Sequence, residues 1–364
     1  MTASIIRDLA PYKNALKAFA FQNDQSKGRK PLEPGYYDDD LIFVPVCDPF
    51  ELDAIKIRGS LAYRRLFEKT QVFPSPMSPH IRNRGLHTND VISTATLISE
   101  TLGLNTSLVR AGCLGHDLGH APFGHFGERW ITKNSGKPFH HAVFSVIISQ
   151  LIERQGAGLN LCWETLLCIL HHSRTHQLDL FLVSNHPLEF NVVMFADKIS
   201  YVFADIRDWL RFYPAASLKG SNIDYFGKTQ RERVANCIIA LIKESAEKSN
   251  KKGIVSFSES ETAKNFVELL SWMYENVYNK MTFTAQEVYF SAIIEYFKAE
   301  LFFNGWDPYL LLALMTDDEV LTFGNFYNIN HAPSIADIKN FGIIEIVEKS
   351  QKRLTAFSSH GLDW

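Results

Sequence analysis

The stretch Gly115-His116-Asp117-Leu118-Gly119-His120-Ala121-Pro122-Phe123-Gly124-His125-Phe126-Gly127-Glu128 holds three histidines, two carboxylates and four glycines within fourteen residues. No other segment restricts the fold as strongly. A glycine in a helix interior costs about 1 kcal/mol relative to alanine. Four of them describe a chain that bends and that other backbone approaches closely. Histidine and aspartate are ligand types for a divalent metal and groups for acid–base work. A polar turn at a helix end would explain the glycines alone, but residues elsewhere complete the same set of donors.

The flanks read as helices. Val91, Ala95, Ile98 and Leu102 recur at helical spacing over about 88–102, and Gly103 is a C-terminal stop. His87 stands at the start of this helix, with Arg84 three residues before it. The next helix, about 107–118, carries Ala111, Gly112 and Gly115 for close packing, and His116 and Asp117 lie at its end. Phe139-His140-His141 opens another, with Val143, Val146, Ile147 and Leu151 as its buried stripe; 161–170 is a further apolar helix ending in His171-His172. The segment from Pro187 to about 210 is apolar at most positions, and Glu189, Asp197, Tyr201, Asp205 and Asp208 form one stripe along it. Burying unpaired carboxylates costs several kcal/mol unless a cation or donors compensate. With His87 and His116-Asp117 available as co-ligands, the stripe reads as a buried functional face rather than the solvent face. The fold class is therefore all-α.

Composition sets the outer bounds. Hydrophobic residues make up 46% of the 364, enough for a sizeable core, and a net charge of −3 exerts no general pull on nucleic acid or anionic membrane. Five cysteines without paired CxxC spacing fit a reduced, cytoplasmic protein. No apolar run suits a signal peptide or a membrane span. Residues 1–52 read as a peripheral segment, 53–215 as the catalytic core, and 216–364 as a C-terminal helical region packed on that core. Within 53–84, Lys56, Arg58, Arg64, Arg65, Lys69, Arg82 and Arg84 face only Asp53 and Glu68 in the charge count, a basic field suited to a polyanion. Trp272, Tyr274, Val277, Tyr278, Phe290, Ile293, Ile294 and Phe297 are core-type stripes, and the acids of Asp317-Asp318-Glu319 read as helix capping.

His87, His116, Asp117 and Asp197 assemble from three helices into two nitrogen and two carboxylate donors. That set favours Mn, Fe, Co, Ni or Mg over a structural zinc. One such ion, with open coordination positions, lowers the pKa of a water and offsets charge developing on phosphorus. His120, His125, Glu128 and His141 lie outside the ligand set and supply acid, base and orienting groups.

These residues carry a resemblance. His87, His116-Asp117 and Asp197 resemble the H…HD…D signature of the HD-domain phosphohydrolases. YRRLFEKTQVF, HDLGHAPFGHFGE, FHH and ADKISYVFADIRD are similar to the deoxyguanosine triphosphate triphosphohydrolase branch, over about residues 53–210. The resemblance implies an HD-domain helical bundle with additional C-terminal helices, which removes intact triphosphate from deoxynucleoside triphosphates. It implies that His87, His116, Asp117 and Asp197 bind the metal, that His141 and Glu128 form a proton-transfer unit, and that His120 and His125 contact the phosphates and the scissile bond. Arg84 and Lys198 would hold phosphate oxygens. Gln71 and Asp205 would meet the 3′-hydroxyl, and Tyr201 would crowd the 2′ position. It further implies a homo-oligomer under control of a nucleotide effector, and admits secondary single-stranded nucleic-acid binding. Two blocks depart from the pattern: Phe139-His140-His141-Ala142 replaces Glu-His-Asn, and Thr88-Asn89-Asp90-Val91 replaces Ser-Leu-Glu-Val. Two other readings stand beside this one. One is an HD phosphohydrolase acting on a nucleoside monophosphate or a signalling nucleotide; the other is a nucleotide- or nucleic-acid-binding regulator with an idle HD site.

Overall fold

The computed structural model describes residues 8–31, 38–73, 78, 80–173, 186–249, 252–328, 332–350 and 354. Residues 1–7 and 32–37 of the peripheral segment lie outside them. The described residues form helices and connecting turns with no strand; the only extended pairings among them are the single bridges Arg29–Cys162 and Thr70–Asn83.

Short polar residues start the helices by accepting hydrogen bonds from first-turn amides. Asp48 opens α1 (Pro49–Gly59), Ser60 opens α2 (Leu61–Arg65), Asn83 opens α3 (Arg84–Leu102) and Asn105 opens α4 (Thr106–Gly115). Gly103 ends α3 with φ +79°, a left-handed stop that glycine adopts without strain. After the glycine turn come α5 (His125–Ser135), α6 (His141–Ile147) and α7 (Trp163–His171). The long α8 (Leu188–Phe212) buries Phe190, Val193, Phe195, Ile199, Val202 and Phe203 and packs against α3, α4, α7 and α9 (Gln230–Lys248). Each such side chain contributes about 1.5–3 kcal/mol on leaving water. The small residues of α4 act as expected: a Cβ on Gly112 would lie 2.3 Å from Cys168 Sγ, and one on Gly115 2.2 Å from Ile169 Cδ1, so α4 and α7 meet almost backbone to side chain.

The remaining helices are α10 (Glu261–Asn276), α11 (Thr284–Ala299), α12 (Pro308–Leu314), α13 (Asp317–Asn328) and α14 (Gly342–Lys349). Glu319 accepts from Thr316 N while Thr316 Oγ1 accepts from Glu319 N, so Glu319 does cap α13. Asp317 does not serve its own helix. Its two oxygens accept from Thr70 N and Phe123 N, both at 2.8 Å, and so fasten α13 to the glycine turn.

The basic field expected over 53–84 is spent inside the protein. Lys56, Lys69, Arg82 and Arg84 are buried. Lys56 pairs with Asp38, Arg82 with Asp205 and Asp208, and Arg84 with Asp117; Arg65 lies 3.7 Å from Glu153. Only Arg58 and Arg64 of that group are exposed. Buried cations need acceptors, and here the acceptors come from distant parts of the chain, which a local charge count cannot register. The α8 stripe divides in the same way. Glu189 accepts from Phe21 N and Asn105 N, Asp205 and Asp208 bind Arg82, and Asp197 alone faces the histidines.

Candidate active site

Three helices deliver the first group of donors. His87 lies in the first turn of α3, His116 and Asp117 follow the last turn of α4, and Asp197 projects from the middle of α8. His87 Nε2 stands 3.0 Å from Asp197 Oδ1, and His116 Nε2 is 3.4 Å from Asp117 Oδ1 and 3.9 Å from Asp197 Oδ1. His116 Nδ1 lies 2.6 Å from Cys113 O and can only donate there. Its Nε2 is then a lone pair. That nitrogen is buried without a hydrogen-bond partner, facing two carboxylates that also only accept. Acceptors converging with no proton between them call for a cation, and two imidazoles with two carboxylates suit a divalent metal. The protonation states agree. Burial pushes His87 down, toward the neutral form a ligand needs. Burial pushes Asp117 up, but His116 and His120 when protonated, together with Arg84, outweigh it and hold the carboxyl well below the usual range.

The second group is continuous with the first through Asp117, whose Oδ1 is 3.2 Å from His120 Nε2. The rings of His120 and His141 stack, with centroids 3.9 Å apart. Glu128 Oε1 lies 2.6 Å from His120 Nδ1, 2.9 Å from His141 Nδ1 and 3.5 Å from His125 Nδ1. Burial lowers His120 to about 3 and His141 to about 4, with Glu128 opposing in both. His125 differs from the others: its side chain is 63% exposed, so among these histidines it is the one that reaches solvent.

The turn between them is built by close contact. Gly119 N donates to Ser145 Oγ, and Ser145 Oγ donates to His116 O, tying the turn to α6. A Cβ on Gly119 would lie 2.2 Å from Ser145 N and 2.4 Å from His141 O. Backbone cannot step aside as a side-chain tip can. Gly119→Ala should therefore destabilise the fold by about 3 kcal/mol or more and displace His141. Thermal melting checks the first effect, and turnover below the melting transition checks the second. Phe123 and Gly124 both have positive φ, +58° and +59°. A phenylalanine there is strained, and the Asp317 hydrogen bond to its amide holds it in place.

The remaining expected residues come from α8, the start of α3 and the segment before it. Arg84 is buried, donating to Asp117 Oδ2 at 2.8 Å and to Gln71 O at 3.3 Å. The Gln71 side-chain oxygen is buried without a partner. Lys198 is half-buried on α8 beside Asp197. Tyr201 and Asp205 follow at one-turn intervals, so Asp205 stands about 12 Å along the axis from Asp197. Both oxygens of Asp205 are engaged, Oδ1 by Arg82 at 2.6 Å and Oδ2 by the Tyr278 hydroxyl at 2.9 Å. Burial raises this carboxyl to about 7 against the pull of Arg82. Tyr278 and Tyr201 rings lie 6.5 Å apart, and Tyr274 and Tyr278 5.2 Å, so α10 and the turn after it pack over this part of α8. Sequence spacing placed Tyr274 and Tyr278 in the core. It also passed over His172, whose ring centroid is 5.0 Å from that of His116, and it counted Lys69 in a basic field, whereas Lys69 donates to His120 O and Ala313 O. The signal for His172 was present in the concentration of histidines between residues 80 and 186.

Residues 84–202 match the HD domain family. The chain is 34% identical over 270 residues to a deoxyguanosinetriphosphate triphosphohydrolase-like protein of Desulfatibacillum aliphaticivorans, covering 72% of this chain and 74% of that one. It is 34% identical over 295 residues to a protein of the same description from Clostridium perfringens (strain 13 / Type A), covering 78% and 80%. No described helix is long and apolar enough to cross a membrane. With the histidine–aspartate centre lying inside the matched span, the chain belongs to the deoxyguanosinetriphosphate triphosphohydrolase-like family of HD-domain phosphohydrolases.

Proposed function

We propose that the protein hydrolyses deoxynucleoside triphosphates to a deoxynucleoside and tripolyphosphate, with one divalent ion on His87, His116, Asp117 and Asp197. The observation that carries this reading is the order along α8. Asp197 faces the histidines with Lys198 next to it on the helix, Tyr201 lies one turn on, and Asp205 a further turn on, bonded to Tyr278. A ligand laid along that helix has its phosphates at the ion and its sugar against three tyrosines. The names of the relatives describe the same kind of substrate.

An ion held by His87, His116, Asp117 and Asp197 would supply Lewis acidity to the phosphoryl group and its water nucleophile. Water oxygen bonds to the α-phosphorus and passes one proton to the histidine–Glu128 group while the other leaves with the tripolyphosphate; the bond from that phosphorus to O5′ breaks, and O5′ takes a proton from the same group. His125 is the donor with an exposed face. Glu128 holds its Nδ1 side at 3.5 Å, with buried His141 and His120 behind the carboxylate. Gln71, with a buried and unpartnered amide oxygen, accepts from the 3′-hydroxyl. Tyr201 occupies the space a 2′-hydroxyl would need.

The test is product analysis with each dNTP and NTP in the presence of Mn or Mg. A deoxynucleoside with intact tripolyphosphate, from deoxy substrates only, is the expected result, and Tyr201→Ala should admit ribonucleotides. Stepwise release of phosphate, or equal use of ribonucleotides by the unaltered protein, would remove the sugar-reading roles.

A further inference from the structure

Lys69 belongs to neither donor group, yet its side chain runs to the backbone of the glycine turn. It is 1% exposed, and its Nζ donates to His120 O and to Ala313 O, the latter at 3.2 Å. Burial lowers the amine to about 7. Of the charged groups that face it, Arg65 from α2 and Arg84 from α3 act in the same direction, and Asp317 and Glu319 from α13 act against it. A neutral amine still has two hydrogens for the two carbonyls, so the contact survives loss of the charge. Such a residue is a poor choice for stability alone. An amine withdrawn from water onto two neutral acceptors is costly, and an apolar chain of the same length would fill the space without that cost. What an apolar chain cannot do is grip the His120 carbonyl.

His120 is where that grip matters. Its N donates to Asp117 O at 3.1 Å, and its ring stands between Asp117 Oδ1 and Glu128 Oε1, 3.2 Å from one and 2.6 Å from the other. Gly119 precedes it and Ala121-Pro122 follow it, so its neighbours in sequence offer no long side chain to anchor the turn. The ring's place depends on what holds the backbone at residue 120. The holder is itself fixed. Arg84 N donates to Lys69 O at 2.9 Å, and Thr70 N donates to Asp317 at 2.8 Å. The far acceptor, Ala313, lies in the last turn of α12, where a helix leaves its carbonyls without intrahelical partners. Lys69 therefore fastens the turn to two elements at once, the start of α3 through its own backbone and the end of α12 through its amine.

We infer that Lys69 is a positioning residue: it holds the His120 carbonyl against the end of α12, and through it keeps the His120 ring in place between Asp117 and Glu128. The inference rests on the reading of this centre as the site of phosphoester hydrolysis. It adds a residue that acts through the backbone of the turn, behind the groups that face the substrate.

The experiment compares the full-length protein with Lys69→Met on two substrates: the dNTP that turns over fastest, and bis(p-nitrophenyl) phosphate, a diester with no sugar to be read. kcat should fall about a hundredfold, the cost of misplacing an active-site group by about 1 Å. KM should stay within about threefold and the melting temperature within about 3 °C. A crystal structure of the variant should show His120 displaced while His87 and His116 keep their places. Should the methionine variant not fold, Lys69→Gln, which keeps a donor on a shorter chain, takes its place with the same split expected. A kcat within about twofold of the unaltered protein, or an unmoved His120, overturns the inference. So does a loss of activity matched by an equal loss of folded protein, which would make Lys69 structural only. Turnover of the diester alone, lowered in the variant, would retire the dNTP reading and leave Lys69 standing; dNTP cleavage that ignores the variant would do the reverse. If neither substrate turns over, the position of His120 in the variant decides.

Discussion

Asp117→Asn should lower kcat/KM for the best dNTP by about a thousandfold or more, equivalent to ~4 kcal/mol of transition-state stabilisation. Asp117 is the one carboxylate that touches every part of the centre. It lies 3.4 Å from His116, 3.2 Å from His120 and 2.8 Å from Arg84. The amide keeps the side chain's shape and can still accept from Arg84, so the fold should hold. What it loses is the charge that attracts the ion and the second anionic oxygen that faces the histidines. Steady-state kinetics with Mn present, alongside a metal count, check the result. A variant that keeps a tenth of the activity would show that Asp117 is dispensable as a ligand.

Asp317→Ala should destabilise the protein by about 3–5 kcal/mol and lower its melting temperature by roughly 5–10 °C. Two buried amides, Thr70 N and Phe123 N, lose their acceptor at once. Lys69, already pushed down to about 7 by burial, loses one of the carboxylates that favour its charge. The strained Phe123 turn loses its tether, so turnover should fall even at temperatures where the variant is folded. Asp317→Asn retains one acceptor and should recover part of both losses. Melting within about 1 °C of the unaltered protein would mean that these hydrogen bonds are satisfied some other way.

Helices and the primary donors were legible because both write themselves into local spacing. The stripes of α3, α4 and α8 repeat every three or four residues, and the glycine turn announces itself by composition. Partner identity was not legible. Arg82 and Arg84 read as free cations because Asp205, Asp208 and Asp117 are up to 126 residues away. Asp317 read as a cap for α13 because nothing in its neighbourhood mentions Thr70. Tyr278 looked like core because a tyrosine's ring and its hydroxyl make opposite demands, and only the fold shows that the hydroxyl meets Asp205. His172 follows His171 in an apolar helix, and what sets it apart, the anchor on Ile169 O, is a matter of hydrogen-bond direction.

The segment 21–29 has a consequence for the order in which the chain can assemble. Phe21 N reaches Glu189 at the start of α8, Lys27 N reaches Glu164 at the start of α7, and Arg29 donates to Asp53 on α1 and to Asn160 O. These residues leave the ribosome before the helices they bind, and the acceptor for Phe21 emerges 168 residues later. Pairings of such long range are slow to close. A stretch synthesised ahead of α1 thus finds its place late, and a large share of the helical body has to exist before its amides and guanidinium are satisfied.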